Sequence, residues 1–389
     1  MISEVKSDYL KLIISTILGV ACGAAWMTNI RYYRIGISEL FFFIFFIILF
    51  FINKVDFFKI EKNLSSIVKF FLFFLFFLIA PYKTLFVNLY GLLPENLIIY
   101  HFSFFLFFFT LIALKKKIID LNFVSLIFAI IFLFTLFFFL FIDNVIFEMK
   151  KNLNEPFLGL SNNPNQVCFY LLSLLFFLSF GNKYFFFYFF LVLFFFSLYF
   201  KSDAFLLSSI SILIFFSFIY LKIFFYKKKK LKIFFSLIMC LIILVFLNYT
   251  QILYFAINYF EGSVTRIVLL KNGLFSILNS PFFGNGVGSF SGHQAPFEGY
   301  EIHNTFLDFA SQFGILFSLL VCGVMLLSIY LMIANNNFLS ASSLVGLLVF
   351  INFHYIGRHF IFYVILAILC NYIANFYKTF FFFKSKGNF

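Results

Sequence analysis

The stretch LNFVSLIFAIIFLFTLFFFLFI, residues 121–142, holds no charged side chain, and its reading decides the fold. A helix rising 1.5 Å per residue needs about 20 apolar residues to cross roughly 30 Å of hydrocarbon, and this segment supplies them. It lacks the alternation of a barrel strand, and a segment in lipid must satisfy its backbone hydrogen bonds internally, so it predicts a spanning helix. Runs of the same kind lie at about 9–27, 36–52, 64–80, 97–114, 164–181 and 184–200. Others follow at about 203–222, 231–249, 305–333, 340–357 and 359–377. The expected fold class is all-α, a polytopic membrane protein of about 12 transmembrane helices. One long loop divides it into residues 1–249 with nine helices, the loop 250–303, and residues 304–389 with three helices and a tail.

Composition agrees. Of 389 residues, 64% are hydrophobic, 11% are charged and 76 are Phe, which exceeds what one soluble core needs. The chain prefers Phe, Ile, Lys and Asn, the signature of AT-rich coding, so Phe reads as lipid-facing filler. The net charge of +13 raises the question of nucleic acid, but the lysines sit in short clusters between apolar runs, as topology signals do. No nucleic-acid partner is expected. The five cysteines, Cys22, Cys168, Cys240, Cys322 and Cys370, form no CxxC pair, so neither a disulfide framework nor a metal site is indicated. The first apolar run follows a segment of mixed charge without a small-residue cleavage site and reads as a retained helix.

With the N-terminus inside, Lys54, Lys59 and Lys62, then Lys115 to Lys117, Lys227 to Lys230, and Lys378, Lys384 and Lys386 all fall in the cytoplasm. The same assignment puts Arg31, Arg34, Arg266 and Arg358 outside, with His101, His293, His303, His354 and His359. Arg31 and Arg34 suit interfacial anchoring. Arg grips phosphate bidentately and His moves protons near neutral pH, so an outer Arg and His population points to chemistry on that face. Helix midsections almost without ionisable groups disfavour an ion-coupled transporter; Asp203 and Asp308 lie near outer helix ends.

About fifty residues separate the ninth and tenth helices, from Thr250 to His303, a length usually reserved for function. Within this loop, Ser263 to Leu278 reads as an amphipathic helix, capped by Ser263 or Thr265, that holds Arg266 and Lys271 at the membrane surface. Asn279-Ser280-Pro281 ends it, and Gly284, Gly286 and Gly288 make tight turns. No strand or βαβ context surrounds those glycines, so they read as turns back toward the membrane, with amides open to a ligand, and not as a nucleotide loop. His293, Glu298, Glu301 and His303 follow. His303-Asn304-Thr305 places an imidazole where a long apolar helix begins, which suits a structural role as well as catalysis. Two smaller polar islands are Gly159-Leu160-Ser161-Asn162-Asn163-Pro164-Asn165-Gln166, whose amides fit helix capping or a hydroxyl-rich ligand, and Lys201-Ser202-Asp203-Ala204.

Taken in order, Arg266, the run Asn279-Ser280-Pro281-Phe282-Phe283-Gly284-Asn285-Gly286-Val287-Gly288-Ser289-Phe290, His303-Asn304-Thr305-Phe306-Leu307-Asp308 and Gln312-Phe313-Gly314-Ile315 resemble the O-antigen ligase and O-antigen polymerase superfamily of bacterial membrane glycan transferases. The Asn163-Pro164-Asn165 island resembles that family's segment opening a middle helix. The likeness spans about Leu158 to Leu327. It implies a metal-independent inverting glycosyltransferase of the bacterial inner membrane, with both termini cytoplasmic and the active site periplasmic. The donor would be an undecaprenyl-diphosphate-linked glycan, and the acceptor a hydroxyl of lipid A core or of a second lipid-linked glycan. No cofactor is implied. Arg266 would bind the carrier diphosphate and His303 would activate the acceptor hydroxyl; Asn304, Asn163 and Asn165 would contact substrate. Where the family carries Ser-Arg and a small residue, this chain has Ser202-Asp203-Ala204, so the second diphosphate arginine is missing, and Lys201 or Arg358 are the candidates to replace it. Ligase, repeat-unit polymerase and protein O-oligosaccharyltransferase share these motifs and stay open. A lipid-linked sugar flippase is the rival of another class, and it should carry polar groups through its helix interiors.

Overall fold

The computed structural model describes residues 2–27, 31–32, 35–53, 94–146, 164–181, 186, 188–191, 202–226, 265–287 and 300–385. Among them the regular structure is helical apart from a two-residue antiparallel ladder, β1 (Arg31–Tyr32) and β2 (Ile35–Gly36). The helices are α1 (Ile2–Ala24), α2 (Ile37–Asn53), α3 (Pro94–Lys115), α4 (Leu121–Ile146), α5 (Pro164–Ser179), α6 (Asp203–Tyr226), α7 (265–279), α8 (Thr305–Phe313), α9 (Ile315–Ala334), α10 (Phe338–Ile351) and α11 (Phe360–Ser385). By length and composition Leu121–Phe138, Ile315–Ala334 and Phe360–Tyr377 are apolar enough to cross a membrane. Shorter apolar helices span Ile37–Ile52, Ile99–Lys115, Asn165–Ser179, Ala204–Ser217 and Phe338–Ile351. The runs read at 64–80, 184–200 and 231–249 lie wholly or mostly outside the described residues.

The chain forms two compact units. The first holds α1, α2, most of α3, α4, α5 and α11. Here Gly19 and Gly23 lie one turn apart on α1 and press against Ile127 and Ile131 of α4, where a Cβ would meet the facing Cβ at 2.7 Å. Small residues at that spacing let two helix backbones approach, which is how helices associate where lipid removes the hydrophobic drive. Beyond the glycines, Trp26 is fully buried, donates from Nε1 to Thr135 Oγ1 at 3.0 Å and tilts against Phe132. At the other end of α4, the Asp120 carboxylate accepts from the Asn122 and Phe123 amides and pairs with Lys11 Nζ at 3.3 Å.

The second unit holds α6 to α10 and the first turns of α3. Gly346 of α10 sits against Ile212 and the Ser208 carbonyl of α6, again with no room for a side chain. One correction concerns the single helix read at 305–333. Gly314 divides it into α8 and α9, with φ 93 and ψ 161, a backbone region that is essentially reserved for glycine. The break is held from outside the helices. Ile315 N donates to the Pro281 carbonyl at 2.7 Å, and the Asn285 and Gly286 amides donate to the Ser311 and Gln312 carbonyls at 2.8 and 3.1 Å. Asn285 Nδ2 also reaches the Ser276 carbonyl at 2.6 Å, tying this turn to α7. The amides of Asn285 and Gly286, read as open to a ligand, are thus spent on the α8–α9 joint. A second correction is at α10, which stops at Ile351 and leaves Asn352 to His359 as a connecting turn where the hydropathy reading had continued the helix to 357.

Candidate functional site

In His303-Asn304-Thr305-Phe306-Leu307-Asp308, the side chains of Asn304, Thr305 and Asp308 each have a definite local use. Asn304 caps α8, its Oδ1 accepting from the Phe306 and Leu307 amides at 3.1 Å each. Its Nδ2 donates to the Asn352 backbone carbonyl and to Asn352 Oδ1. Thr305 is buried, donates to the His354 carbonyl at 2.6 Å and accepts from the Ile356 amide at 3.2 Å. Fully buried Asp308 reaches back, its Oδ1 accepting from the Ile302 amide at 2.9 Å. These bonds fasten the residues on both sides of His303, which itself has φ 61. The left-handed region is uncommon for non-glycine residues but His is among those enriched there, and such strain persists only where surrounding contacts over-determine it.

The α7 helix comes to the same place because Gly273 leaves room for Ile302, whose side chain occupies the space a Cβ would need. The result is a cavity of about 410 Å³ lined by Arg266, Ile267, Leu270, Lys271 and Leu274 of α7, by Ile302, His303 and Asn304, and by Asn352 and Phe353 of the turn after α10. The two residues singled out from the sequence, Arg266 and His303, therefore share one pocket. Among the described residues no acidic side chain lines it.

Partial burial, and then the charge of Arg266, hold the His303 imidazole below its ordinary value, so it is neutral at pH 7. Behind it, His354 lies edge-on with ring centroids 6.2 Å apart and rests against Phe350. Desolvation, with the His303 and Arg266 charges adding to it, lowers His354 to about 3. Above about pH 6.5 both folded and unfolded chains carry a neutral imidazole. As pH falls below that, the unfolded chain takes up a proton that the folded one refuses, so stability drains away until pH reaches the folded value. We expect the thermal midpoint of the detergent-solubilised protein to fall on acidification from pH 6.5, and His354→Gln to flatten that fall. An equally steep loss in the variant would remove His354 as the cause.

The other sequence candidates are placed as follows. Arg358 does not line the cavity; it forms an ion pair with Glu301 and stands 5.9 Å from the Tyr355 ring centroid. Tyr355 in turn accepts from Gln312 Nε2 at 3.0 Å. Asn165 belongs to the first unit, where its Oδ1 accepts from Ser202 Oγ at 2.6 Å. His359 of the same unit is bonded through Nδ1 to Tyr170 Oη at 2.7 Å. Asn163, Lys201, His293 and Glu298 lie outside the described residues, and the structure describes only the backbone of Asp203. Sequence reading had not marked Asn352 or His354 as site residues. Their signal was a polar break, Asn352 to His359, inside an apolar run. Among the described residues no three His, Cys, Asp or Glu side chains converge to hold a metal ion.

Comparison with family models, curated proteins and solved structures finds no significant match.

Proposed function

We propose that this chain is a multi-pass membrane glycosyltransferase of the O-antigen ligase and polymerase kind. It moves a glycan from an undecaprenyl-diphosphate carrier to an acceptor hydroxyl, with lipid A core as acceptor in the ligase form. The observation that carries the reading is the meeting of Arg266 and His303 in one cavity that no carboxylate of the described residues lines. On this reading about twelve helices span the inner membrane, the lysine clusters face the cytoplasm with both termini, and the cavity opens on the periplasmic side.

The chemistry follows from what each group does. A diphosphate departs most easily when a cation offsets its growing charge, and Arg266 supplies one beside an apolar wall, where water screens little. His303, neutral at working pH, takes the proton of the attacking hydroxyl. Attack on the anomeric carbon from the face opposite the departing diphosphate inverts its configuration. The polyprenyl tail stays in the bilayer throughout, which accounts for a reactive pocket at the edge of an oily scaffold.

The test is the lipopolysaccharide ladder of a strain lacking the gene. Core without O-chain identifies a ligase, core bearing a single repeat identifies a polymerase, and an unchanged ladder overturns both.

A further inference from the structure

The sequence leaves the diphosphate one cation short, since Asp203 stands where the resemblance expects an arginine. Of the two sequence candidates for that gap, Arg358 does not line the cavity and is engaged by Glu301, and Lys201 lies outside the described residues. We propose that Lys271 is the second diphosphate-binding cation, and that α7 alone reads the carrier's head and the start of its tail. This rests on the diphosphate-donor reading above.

Lys271 and Arg266 line the same cavity as His303. At about 100° per residue the two cations lie on opposite flanks of α7, roughly 140° apart and about 7.5 Å apart along the axis. Between them, Ile267, Leu270 and Leu274 form an apolar strip on the cavity wall. The strip continues past the cavity as exposed Leu278, followed by exposed Phe282 and Phe283. Two cations elsewhere in the described chain have carboxylate partners, Lys11 with Asp120 and Arg358 with Glu301. Among the described residues Arg266 and Lys271 are not in an ion pair with any carboxylate.

Two cations bracketing an apolar rail match a ligand with two adjacent phosphates on a hydrocarbon chain. An anion with one phosphate needs only one of them. An acidic protein segment would match the charges but leave the rail uncovered. Lys binds phosphate as a point charge and not as a planar fork, so its share of the site is charge and reach, with geometry left to Arg266.

The experiment uses the full-length protein in nanodiscs and measures binding of undecaprenyl diphosphate and undecaprenyl monophosphate to wild type, Lys271→Met and Lys271→Arg. Wild type is expected to prefer the diphosphate. Lys271→Met should weaken diphosphate binding by roughly ten- to a hundred-fold, the scale of one charge-assisted hydrogen bond, and erase the preference by leaving monophosphate binding nearly unchanged. Lys271→Arg should restore most of it. Lys271 is exposed, so the variants are expected to fold. A wild type that prefers the diphosphate together with a Lys271→Met protein that keeps the full preference overturns the role of Lys271 alone. A wild type that binds neither lipid overturns the donor reading and this inference with it.

Discussion

Under the proposed function, His303→Asn and His303→Ala are each expected to lower glycan transfer by roughly 10²- to 10⁴-fold, the usual effect of removing a general base, while the protein stays inserted and abundant. The asparagine variant is the sharper test. His303 sits at φ 61, where Asn is tolerated and Ala is strained, so Asn keeps the backbone and removes only the imidazole. Its neighbours do not depend on that side chain: Ile302 is held by Asp308, Asn304 by its cap and by Asn352, and Thr305 by the turn at His354. The pH dependence follows from the lowered imidazole, set first by burial and then by Arg266. A base must be neutral to act, so the wild-type rate should hold level below pH 6.5 and fall only nearer the depressed value. Arg266→Gln should slow transfer through loss of the diphosphate cation, by roughly 10²- to 10³-fold. It should also move the acid limb of the residual activity upward, because one of the two causes of the depression is gone. Pre-steady-state transfer from a labelled lipid-linked donor, followed across pH, reads both effects. Near-normal transfer by His303→Asn would end its assignment as the base.

α7 is written in its own residues. The amphipathic pattern from Ser263 to Leu278 predicts a surface helix, and residues 265–279 form one, because its periodicity is local information. The ends of α2 and α5 are legible to within two residues for the same reason, apolar runs stopping where polar residues and turns begin, whereas α4 runs on past its apolar run through Asp143 and Asn144 to Ile146. Nothing local marks the break at Gly314, since apolar residues stand on both sides and hydropathy runs on through it. The break depends on residues 281–286, which lie some thirty positions upstream and bond to the last carbonyls of α8 and the first amide of α9. Asn304 illustrates the same limit. Its place beside His303 suggested substrate contact, and it does line the cavity, yet its amide is committed to capping α8 and holding Asn352. Arg358 shows it for charge: spacing along a chain does not reveal that Glu301 takes the guanidinium. Lys271 was visible as a surface lysine, but only the approach of α7 to Ile302 puts it into the wall of the pocket with His303.

Gly314→Ala is expected to destabilise the second unit by roughly 3–5 kcal/mol, among the largest effects of a one-carbon change. Two costs add. At φ 93 and ψ 161 a residue with a Cβ is held in a region it hardly populates, worth about 1–3 kcal/mol. The new methyl would also collide with the Phe282 carbonyl, backbone that cannot move without releasing the Ile315 to Pro281 hydrogen bond. Losing that bond frees the turn at 281–286, and Asn285 then loses Ser276 and Ser311 together. Since Asn285 ties the joint to α7, the damage reaches the cavity wall that carries Arg266. Gly323, in the middle of α9, is the matched control. A Cβ there has nothing within 4 Å, and Ala is the better helix former, so Gly323→Ala should be neutral or stabilising by up to about 1 kcal/mol. Thermal melts in detergent separate the two, with an expected drop of roughly 6–12 °C for Gly314→Ala if unfolding is cooperative over a domain of this size. A Gly314→Ala protein melting with wild type would mean that the α8–α9 joint is not held by the contacts described. Because α8 carries Asp308 and begins at the Asn304 cap, that result would also remove the physical reason for His303 standing where it does.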